Sequence, residues 1–554
     1  MSIKRRFLFS CLVTGLAMLS LQAIANNIDA NNARNVASNF LKQQAATMKS
    51  FNSVSQADLK LVYAEKSSVV ANAKTYYAFN INGGGFVIIS GEDRANPVLG
   101  YSDHGSLDFN NLPDNFKALM GSYKEEIEYL QAHPELNVTP KLRASNDGGV
   151  APLIKAIWGQ EMPYYLQCPM YQGEYCVVGC IATAMTQVMY FWKYPTTSPS
   201  LNSYYCSEIG QTIPSLPETT FNYNLMLTSY CHWDWDQSAL IQDSYTDEQA
   251  QAVAKLARYC GQAVRMEYSP EGSGAYTSSQ LSAMKKFGFN SNAKDVTRSS
   301  WWSNNYTDVQ WENMIKAELD ARRPILYSAN DYSAGGHAFV CDGYDNTGMF
   351  HFNFGWYGTC DGWYTSTALN MTHRDGEALH FNYDHEMLTG VVPPTYCIIE
   401  ADAINVPTDL LVLGEEMSIE ATNVNIFTTN NMVSFIFSIV DNSNKRIVTS
   451  NPVNVTTSDF TQGSPVNKTI MLPTSLEQGT YSLKFYYYIN NARVPTPIDC
   501  EEAQLNIIGH LAKYNAAFSI DDVTMCIDYM LKGSHSDISI DDLTALIDML
   551  LAGE

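Results

Sequence analysis

The sequence predicts an α+β protein in which several domains follow one another in a single chain. Its length of 554 residues exceeds what one hydrophobic core usually fills. Helical and strand-like apolar patterns are mixed over residues 26–394, whereas residues 395–508 show only short strand-like runs. The last segment, 509–554, contains one helical pattern twice. These observations predict mixed domains first, then a β-sandwich, then a small helical tail.

The N-terminus has the pattern of a secretory signal peptide. Lys4, Arg5 and Arg6 precede an apolar stretch over residues 7–21, and small residues then lead to Ala25. A membrane anchor is the alternative, but the apolar stretch is shorter than the about 20 residues that a span needs. We therefore predict cleavage after Ala25 and no transmembrane segment. The protein is expected to be secreted by a bacterium or held at its surface or in its periplasm.

Residues 26–148 contain no cysteine and mix helical patterns with strand-like runs such as "TYYAFNI" and "GGGFVIIS". The stretch that follows, 136–152, is rich in Pro, Gly, Ser and Asn, which predicts an exposed linker open to proteolysis. A separate domain before a cleavable linker is the arrangement of a propeptide. We therefore predict a prodomain over residues 26–148.

Short alternating runs such as "MVSFIFSIV" and "TYSLKFYYYI" fill residues 395–508. Strands at this spacing without a helical segment predict an antiparallel β-sandwich. Cys397 and Cys500 lie near its two ends and are candidates for a disulfide, although the sequence does not establish the pairing.

The tail contains two copies of one pattern, "FSIDDVTMCIDYML" (518–531) and "ISIDDLTALIDMLL" (538–551), 20 residues apart. Ser519 and Ser539 are the predicted helix caps, with Asp in each first turn. The pair resembles the dockerin-like repeats of many exported bacterial proteins, in which an oxygen-rich calcium loop precedes each helix. The resemblance implies a docking module that attaches the protein to a cell surface.

The chain departs from this pattern at the calcium positions. The first three ligand positions of the two loops carry residues that are poor calcium ligands: Leu511, Lys513 and Asn515, then Leu531, Gly533 and His535. We therefore expect the helical pair to exist without bound calcium.

Charge and motifs exclude several function classes. Acidic residues outnumber basic residues 57 to 34, and the formal charge of −23 repels phosphate backbones, so nucleic acid is not a predicted partner. The sequence has no HExxH motif and no CxxC pair, so we predict no metal site and no cofactor. His373, His380 and His385 are interpreted as making surface or core hydrogen bonds.

Two cysteines in "EYCVVGCIATAMTQVMYFW" are candidate nucleophiles. Cys180 precedes an apolar helical pattern, where the helix dipole lowers the pKa of a thiol, whereas Cys176 lies four residues earlier in the predicted loop. A lone cysteine here more often packs as a small apolar group or forms a disulfide. Eleven cysteines remain after the signal, an odd number that predicts disulfides and at least one free thiol.

Residues elsewhere supply the partners that a nucleophilic thiol needs. His337 follows two glycines in "SAGGHAFVCDGY" and is a candidate base. Asn353 in "MFHFNFGWYGTCDGWY" is a candidate for orienting the imidazole. Gln160 in "IWGQEMPYY" lies 20 residues before Cys180 and is a candidate donor to an oxyanion. Taken singly, each of these residues also has an ordinary structural interpretation.

As a set, the motifs resemble the streptopain family of cysteine peptidases, which includes the interpains. "WGQEMPYY", "GCIATAMTQVMYFWKYP", "MEYSPEGSGA", "GGHAFVCDGY" and "HFNFGWYGTCDGWY" occur in the order of that family. The resemblance covers residues 149–394 and extends to the prodomain through "GGGFVIISGEDRANPVLGYS". It implies a papain-like cysteine endopeptidase made as a zymogen, with protein or peptide substrates and its own prodomain as inhibitor.

The resemblance also implies residue roles. The nucleophile, the base, the orienting residue and the oxyanion donor are, in that order, Cys180, His337, Asn353 and Gln160. The residues implied to contact substrate are Ser273, Gly274, Gly336 and Trp356. Phe354 stands where the family commonly has Trp, so an indole hydrogen bond is not expected there.

The sequence thus predicts a secreted cysteine endopeptidase of class α+β with five segments. They are the signal peptide 1–25, the inhibitory prodomain 26–148, the papain-like peptidase domain 149–394, the Ig-like β-sandwich 395–508 and the dockerin-like tail 509–554. Two alternatives stay open at this point. A surface adhesion or scaffold protein would use an inactive papain-like fold for binding, and an acyltransferase or amidase would use the same Cys-His pair with another acceptor.

Overall fold

The structure is a computed structural model, and its two compact units divide after residue 391. It describes residues 27–45, 48–51, 54–136, 138, 140, 149–234, 239–300, 303–331, 335–367, 385–408, 410–489, 494–514, 517–533 and 538–552. The predicted signal peptide, most of the predicted cleavage linker, His373 and His380 lie outside these residues. No helix among the described residues is long and apolar enough to span a membrane.

The first unit is built around one antiparallel sheet of ten strands. Four strands come from the predicted prodomain: β1 (Leu59–Lys66), β2 (Lys74–Ile81), β3 (Phe86–Ser90) and β4 (Val98–Ser102). Six come from the predicted peptidase region: β5 (Lys294–Thr297), β6 (Ile325–Asp331), β7 (Gly335–Tyr344), β8 (Phe350–Asn353), β9 (Gly362–Tyr364) and β10 (Glu386–Thr389). Their order in the sheet is β1-β2-β3-β4-β9-β8-β7-β6-β10-β5.

The two groups of strands meet where β4 pairs with β9. Tyr101 lies opposite Trp363, and Gly100 lies opposite Tyr364. A Cβ atom at position 100 would lie 2.3 Å from the Tyr364 ring, so this contact requires glycine. The Tyr101 hydroxyl also donates to the Asp345 carboxylate at 2.6 Å. The prodomain strands are therefore a continuous part of the peptidase sheet.

Helices cover both faces of this sheet. They are α1 (Ala30–Gln44), α2 (Asp114–Ala132), α3 (Cys180–Trp192), α4 (Asp247–Ala263), α5 (Ser278–Lys286) and α6 (Asp308–Asp320). Side chains alternate along β7: Ala338 and Val340 pack in the apolar cluster that contains α3, and Phe339 and Cys341 pack in the cluster that contains α2 and α6. One face of β7 therefore contacts α3, and the other contacts the prodomain helix α2.

Local sequence signals set the helix starts. Capping boxes open α4, with Thr246 and Gln249, and α6, with Thr307 and Gln310. Short 3-10 helices and hairpins complete the unit. The 3-10 helices are Lys49–Phe51, Gln56–Asp58 and Tyr223–Leu225. The hairpins pair Met170–Tyr171 with Glu174–Tyr175, Tyr204–Cys206 with Gln211–Ile213, Cys231–Asp234 with Ala239–Gln242, and Ser299–Ser300 with Ser303–Asn304. Thr197–Ser198 and Thr219–Thr220 form a separate antiparallel pair on either side of the Tyr204–Ile213 hairpin.

The second unit contains two antiparallel sheets whose inward side chains form one apolar cluster. The four-stranded sheet consists of Cys397–Glu400, Ile404–Asn405, Glu416–Thr428 and Ser464–Met471. The eight-stranded sheet consists of Leu410–Val412, Met432–Val440, Arg446–Thr449, Val453–Thr456, Gly479–Ile489, Thr496–Pro497, Ala503–Ile508 and Leu511–Tyr514. Inward and outward residues alternate along the strands, as the sequence pattern indicated.

Two helices, α7 (Ile520–Lys532) and α8 (Ile540–Ala552), follow the last strand and pack on its sheet. The Nζ atom of Lys513 lies 2.6 Å from both carboxylate oxygens of Asp522, and both side chains are buried. Burial raises the pKa of Asp522, but the bonds from Lys513 and Ser519 outweigh it and lower the pKa overall. Lys513 was one of the calcium positions considered above, and its ammonium group now neutralises this carboxylate. The mixture of helices and strands confirms the α+β class.

Candidate active site

Cys180 is the first residue of α3 and follows a sharp backbone turn at Gly179. Gly179 has a φ of 86°, and a Cβ atom there would lie 2.8 Å from the Ser273 carbonyl oxygen and the Met266 sulfur. Only glycine therefore fits between the helix start and the 266–273 loop. The Gly179 carbonyl accepts hydrogen bonds from both the N–H and the hydroxyl of Thr183, which fixes the first turn.

The Cys180 sulfur accepts a hydrogen bond from the backbone N–H of Ala338 at 3.5 Å. Burial raises the pKa of this thiol, while the N–H groups of Ala338, Ile181 and Cys180 itself oppose the shift, and the negative charge of Asp114 adds to it. The net shift is upward, against the lowering expected at a helix N-terminus, because burial outweighs the helix N–H groups. The carboxylate of Asp114 belongs to the prodomain helix α2.

His337 lies in β7, immediately before Ala338. It pairs with Ala329 of β6 in an uninterrupted register. Side chains alternate along the strand, so His337 shares a face with Phe339, the face that α2 covers. The structure thus brings the backbone of His337 next to the thiol.

Asn353 is the last residue of β8 and lies opposite Val340, whose side chain packs with α3. Its Oδ1 atom accepts from Gln187 Nε2 at 3.0 Å and from the Gly355 N–H at 3.1 Å. Its Nδ2 atom donates to the Ala156 carbonyl at 2.8 Å. The Asn353 amide is therefore buried and held in one orientation.

Gln187 was missed in the sequence reasoning. It lies within the apolar pattern of α3, and the only signal was one amide residue among buried neighbours. Its side chain is fully buried, at 0% exposure, and bonds to Asn353 and to the Trp158 N–H. A buried amide in an apolar helix face requires partners elsewhere in the fold.

Gln160 lies in a loop that is fastened to the segment before Cys180. Its carbonyl accepts from the Val178 N–H at 3.0 Å. The neighbouring Glu161 N–H donates to the Tyr357 hydroxyl at 3.0 Å, and Gly159 lies against the Tyr357 ring. Gln160 is therefore held close to the start of α3 by backbone contacts on both sides.

The four candidate substrate contacts differ in their surroundings. The Ser273 hydroxyl donates to the Val177 carbonyl at 2.7 Å, so it stabilises the segment before Cys180. Gly274 is exposed, with open space around the position of a Cβ atom. Gly336 pairs with Asn330 in the sheet, next to His337. Trp356 is half-buried and packs against the apolar cluster that contains α2.

Phe354, the departure from the family pattern, contacts the prodomain. Its ring lies edge-on to Phe116 of α2, with 5.7 Å between the ring centroids. Its carbonyl accepts from the Asn115 side-chain amide at 2.8 Å, and Asn115 is buried. Its own N–H donates to Asp361 at 2.8 Å. The residue after Asn353 is therefore part of the interface with α2.

The cysteines of the described residues are free thiols, Cys180 among them. All eleven in the described residues are unbridged, so the predicted disulfides are absent, that of Cys397 with Cys500 included. Cys397 pairs with Thr428 in the four-stranded sheet, whereas Cys500 precedes a strand of the eight-stranded sheet. Cys176 is fully buried, and burial raises its pKa to about 11. Cys176 therefore lacks the exposure and the thiolate character of a nucleophile.

His385 has the predicted core role. It is buried, and its Nδ1 atom shares a hydrogen bond with the Tyr327 hydroxyl at 2.7 Å. Burial and the nearby charge of Arg298 lower its pKa to about 3. The imidazole is neutral at physiological pH and serves the packing of the sheet.

Comparisons with known proteins identify the family. Residues 158–364 match the family model described as Peptidase C10 family, and residues 25–127 match the model described as Spi protease inhibitor. A solved prointerpain A fragment from Prevotella intermedia is 31% identical, with 60% of this chain and 98% of that fragment covered and a TM-score of 0.49. The chain belongs to the Peptidase C10 family.

Two further relatives of this C10 peptidase match longer parts of the chain. Streptopain from Streptococcus pyogenes is 29% identical over 419 residues, which cover 68% of this chain and 98% of streptopain. The thiol protease/hemagglutinin PrtT from Porphyromonas gingivalis is 26% identical over 436 residues, which cover 75% of this chain and 48% of PrtT. The C10 peptidase is a cysteine endopeptidase of papain-like fold with an inhibitor-like N-terminal domain, as the sequence predicted.

Proposed function

We propose that Cys180 and His337 are the catalytic pair of this endopeptidase. The observation that carries the proposal is the 3.5 Å hydrogen bond from the Ala338 N–H to the Cys180 sulfur, because it brings the strand of His337 to the start of the nucleophile helix. Two further contacts support the roles proposed for Asn353 and Gln160: Asn353 donates to the Ala156 carbonyl, and the Gln160 carbonyl accepts from Val178, two residues before Cys180. A surface adhesion or scaffold protein would not require a thiol, an imidazole and two side-chain amides at these four positions.

The chemistry follows from these positions. The Cys180 thiolate attacks the scissile carbonyl, and His337 protonates the leaving amine as the peptide bond breaks. Water then hydrolyses the thioester and restores the thiol. Gln160 and the Cys180 N–H donate to the oxyanion of each tetrahedral intermediate, where such donors stabilise the transition state more than the substrate. Asn353 holds the imidazole through its Oδ1 atom.

A matched pair of cysteine variants tests the assignment. The mature enzyme is assayed for casein cleavage in reducing buffer, as wild type, Cys180→Ala and Cys176→Ala. We expect no cleavage from Cys180→Ala and wild-type cleavage from Cys176→Ala, because Cys176 is buried in the core. An inactive Cys176→Ala together with an active Cys180→Ala would reverse the assignment.

We also propose that the chain is made as a secreted zymogen. The prodomain strands extend the peptidase sheet, and α2 covers the face of β7 that His337 shares with Phe339. The same helix carries Asp114, whose charge raises the pKa of the Cys180 thiol. Burial and, to a smaller extent, this charge favour the protonated thiol in the full-length chain, so we expect the Cys180–His337 pair to be inactive until α2 leaves.

Activation then requires cleavage between the prodomain and the peptidase domain, which we place near residues 140–150. Secretion would require the signal peptide 1–25. Both are tested by N-terminal analysis of the protein recovered from the surface of the bacterial cells and from their culture medium. We expect a precursor that begins at residue 26 and a mature form that begins between residues 141 and 151. A mature form that still contains α2 would contradict the zymogen proposal.

We propose that the tail attaches the enzyme to a protein at the cell surface. Within the two repeats, every position exposed in both copies carries the same residue: 520/540, 521/541, 524/544, 527/547, 528/548 and 531/551. The exposed fractions agree between copies, 71% and 70% for the first pair and 80% for both members of the last. Among the other positions of the repeats, only the capping residues are identical, Ser519 with Ser539 and Asp522 with Asp542. Packing in the core does not constrain exposed residues, so the fold alone does not explain why the exposed positions of the two copies are identical.

The exposed face of the tail combines apolar and acidic side chains. Ile527 and Ile547 lie beside Asp528 and Asp548, so an anionic lipid surface would be repelled and a protein with a complementary basic rim is favoured. The test compares Ile527→Asp/Ile547→Asp with Val494→Asp, which changes an exposed apolar residue of the sandwich. We expect only the first variant to pass from the cells into the medium. Equal retention of both would contradict the proposal.

A further inference from the structure

Gln187 is a buried amide in the middle of the helix that begins at Cys180. Burying an unbonded amide is unfavourable, so its presence in an apolar core requires hydrogen-bond partners. Both ends of the side chain have one: Oε1 accepts from the Trp158 N–H at 3.4 Å, and Nε2 donates to Asn353 Oδ1 at 3.0 Å. The helix thereby contacts two separate parts of the candidate active site.

Backbone groups at both ends of this hydrogen-bond network fix the donor and acceptor of every bond in it. The Trp158 N–H can only donate, so Gln187 must turn its oxygen towards it and its Nε2 towards Asn353. Asn353 must then present Oδ1 to Gln187, and its Nδ2 meets the Ala156 carbonyl, which can only accept. Both amides therefore have a single satisfied orientation.

The chain of bonds begins and ends in the same segment. Ala156 and Trp158 lie four and two residues before Gln160, respectively. Gln187 thus connects the nucleophile helix, the orienting residue Asn353 and the segment that leads to the oxyanion donor.

We propose that Gln187 is a positioning residue of the peptidase reaction. It holds Asn353 with Oδ1 facing the nucleophile helix, where an imidazolium N–H needs an acceptor. Without it, Asn353 keeps only the Gly355 N–H on Oδ1 and the Ala156 carbonyl on Nδ2, so its amide is held less firmly in this orientation. The proposal rests on the proposed roles of Asn353, His337 and Gln160, and it adds a residue that acts through them.

A merely structural Gln187 and a positioning Gln187 give different results. A structural role predicts lower stability with unchanged activity per folded molecule. A positioning role predicts a loss in kcat, because the imidazolium forms during catalysis, with little change in KM, because Gly274 and Gly336 lie on other segments.

The test uses the mature enzyme with Gln187→Met, Gln187→Glu and the control Thr186→Val. Thr186 is also buried in α3, and its hydroxyl interacts with the Ala182 carbonyl of the same helix and with the Cys260 thiol, neither of which belongs to the candidate active site. Activities are normalised to the amount of Cys180 that a thiol reagent titrates, so misfolded molecules are not counted. We expect Gln187→Met to lose about 10- to 100-fold in kcat, as for a bond to a charged group. Thr186→Val should stay within twofold of wild type.

The isosteric Gln187→Glu gives a second, independent readout. Its carboxylate accepts from Trp158 but cannot donate to Asn353, whereas its protonated form can. We therefore expect its activity relative to wild type to rise as the pH falls from 8 to 5. Unchanged kcat in Gln187→Met, or a ratio for Gln187→Glu that does not vary with pH, would overturn the proposal.

The variant Asn353→Ala separates the inference from the proposed function. If Asn353→Ala loses activity while the Gln187 variants keep it, the positioning role fails alone. If Asn353→Ala is as active as wild type, the proposed role of Asn353 fails as well. An inactive wild type would contradict the assignment of the whole site.

Discussion

The backbone N–H of Ala338 lies 3.5 Å from the sulfur of Cys180 and donates to it. This bond joins the first turn of the nucleophile helix to the strand that carries the candidate base. The bond lowers the pKa of the thiol, as do the N–H groups of Ile181 and Cys180, but burial and the Asp114 charge outweigh them and raise the pKa in the full-length chain. The predictions below follow from this arrangement.

The reactivity of Cys180 should depend on the prodomain carboxylate of Asp114. In the full-length chain, Asp114→Asn should lower the pKa of the thiol, because it removes one of the charges that raise it. The measurement is the rate of iodoacetamide labelling of Cys180 against pH. Asp114 is exposed, so the shift is expected to be small. Glu135→Gln, beyond the far end of α2, should leave the profile unchanged.

Asn115 should hold the prodomain on the peptidase domain. Asn115→Ala removes the donor to the buried Phe354 carbonyl, a loss of about 1–3 kcal/mol for an unsatisfied buried group. The full-length variant should therefore convert to the mature form faster than wild type, as followed on gels. The exposed Asn110→Ala is the control and should convert at the wild-type rate. Equal rates for both variants would show that this contact does not restrain activation.

Asp361 should make the first unit less stable as the pH rises. Burial raises its pKa from 3.8 to about 6, so the folded chain binds this proton more tightly than the unfolded chain. The contribution of this group to the free energy of unfolding is therefore full below pH 4 and falls by about 3 kcal/mol between pH 4 and 6.

Asp361→Asn keeps the acceptor for the Phe354 N–H and removes the charge. At pH 7 the midpoint temperature of thermal unfolding should be higher for the variant than for wild type. The midpoint of the variant should also lack the fall between pH 4 and 6 that this group causes. A parallel pH dependence in both proteins would contradict the prediction.

Lys513 should stabilise the tail, with its ammonium group where dockerin-like repeats have a calcium ion. Lys513→Met leaves the buried Asp522 carboxylate unpaired, which is expected to destabilise the second unit by about 3–5 kcal/mol. Lys532→Met breaks the exposed pair with Asp528 in the same helix and should cost at most about 1 kcal/mol. Thermal unfolding with and without a chelator measures both effects. The double variant Lys513→Met/Asp522→Asn should recover much of the loss.

The sequence supported the local parts of this account well. Apolar spacing placed the helix that begins at Cys180, and the motifs around Gln160, His337 and Asn353 indicated residues that the fold brings to one region. Each of these signals lies within a few residues of its target. The repeats of the tail were visible for the same reason.

Other features depended on contacts that no local pattern records. The pairing of Tyr101 with Trp363 joins residues far apart in the chain, so the continuous sheet of prodomain and peptidase could not be predicted. Gln187 looked like an ordinary helix residue until its partners Trp158 and Asn353 were placed. The thiol pKa was expected to fall from the helix dipole alone, whereas burial sets its direction.

The most direct test of the central claim is the site of covalent inactivation. The mature enzyme is treated with an irreversible, peptide-based thiol inhibitor until activity is lost, then digested and analysed by mass spectrometry. We predict one adduct per molecule, on Cys180, with loss of activity in proportion to its formation and no adduct in Cys180→Ala. An adduct on Cys176 that accounts for the lost activity, or full casein cleavage with Cys180 modified, would contradict the account.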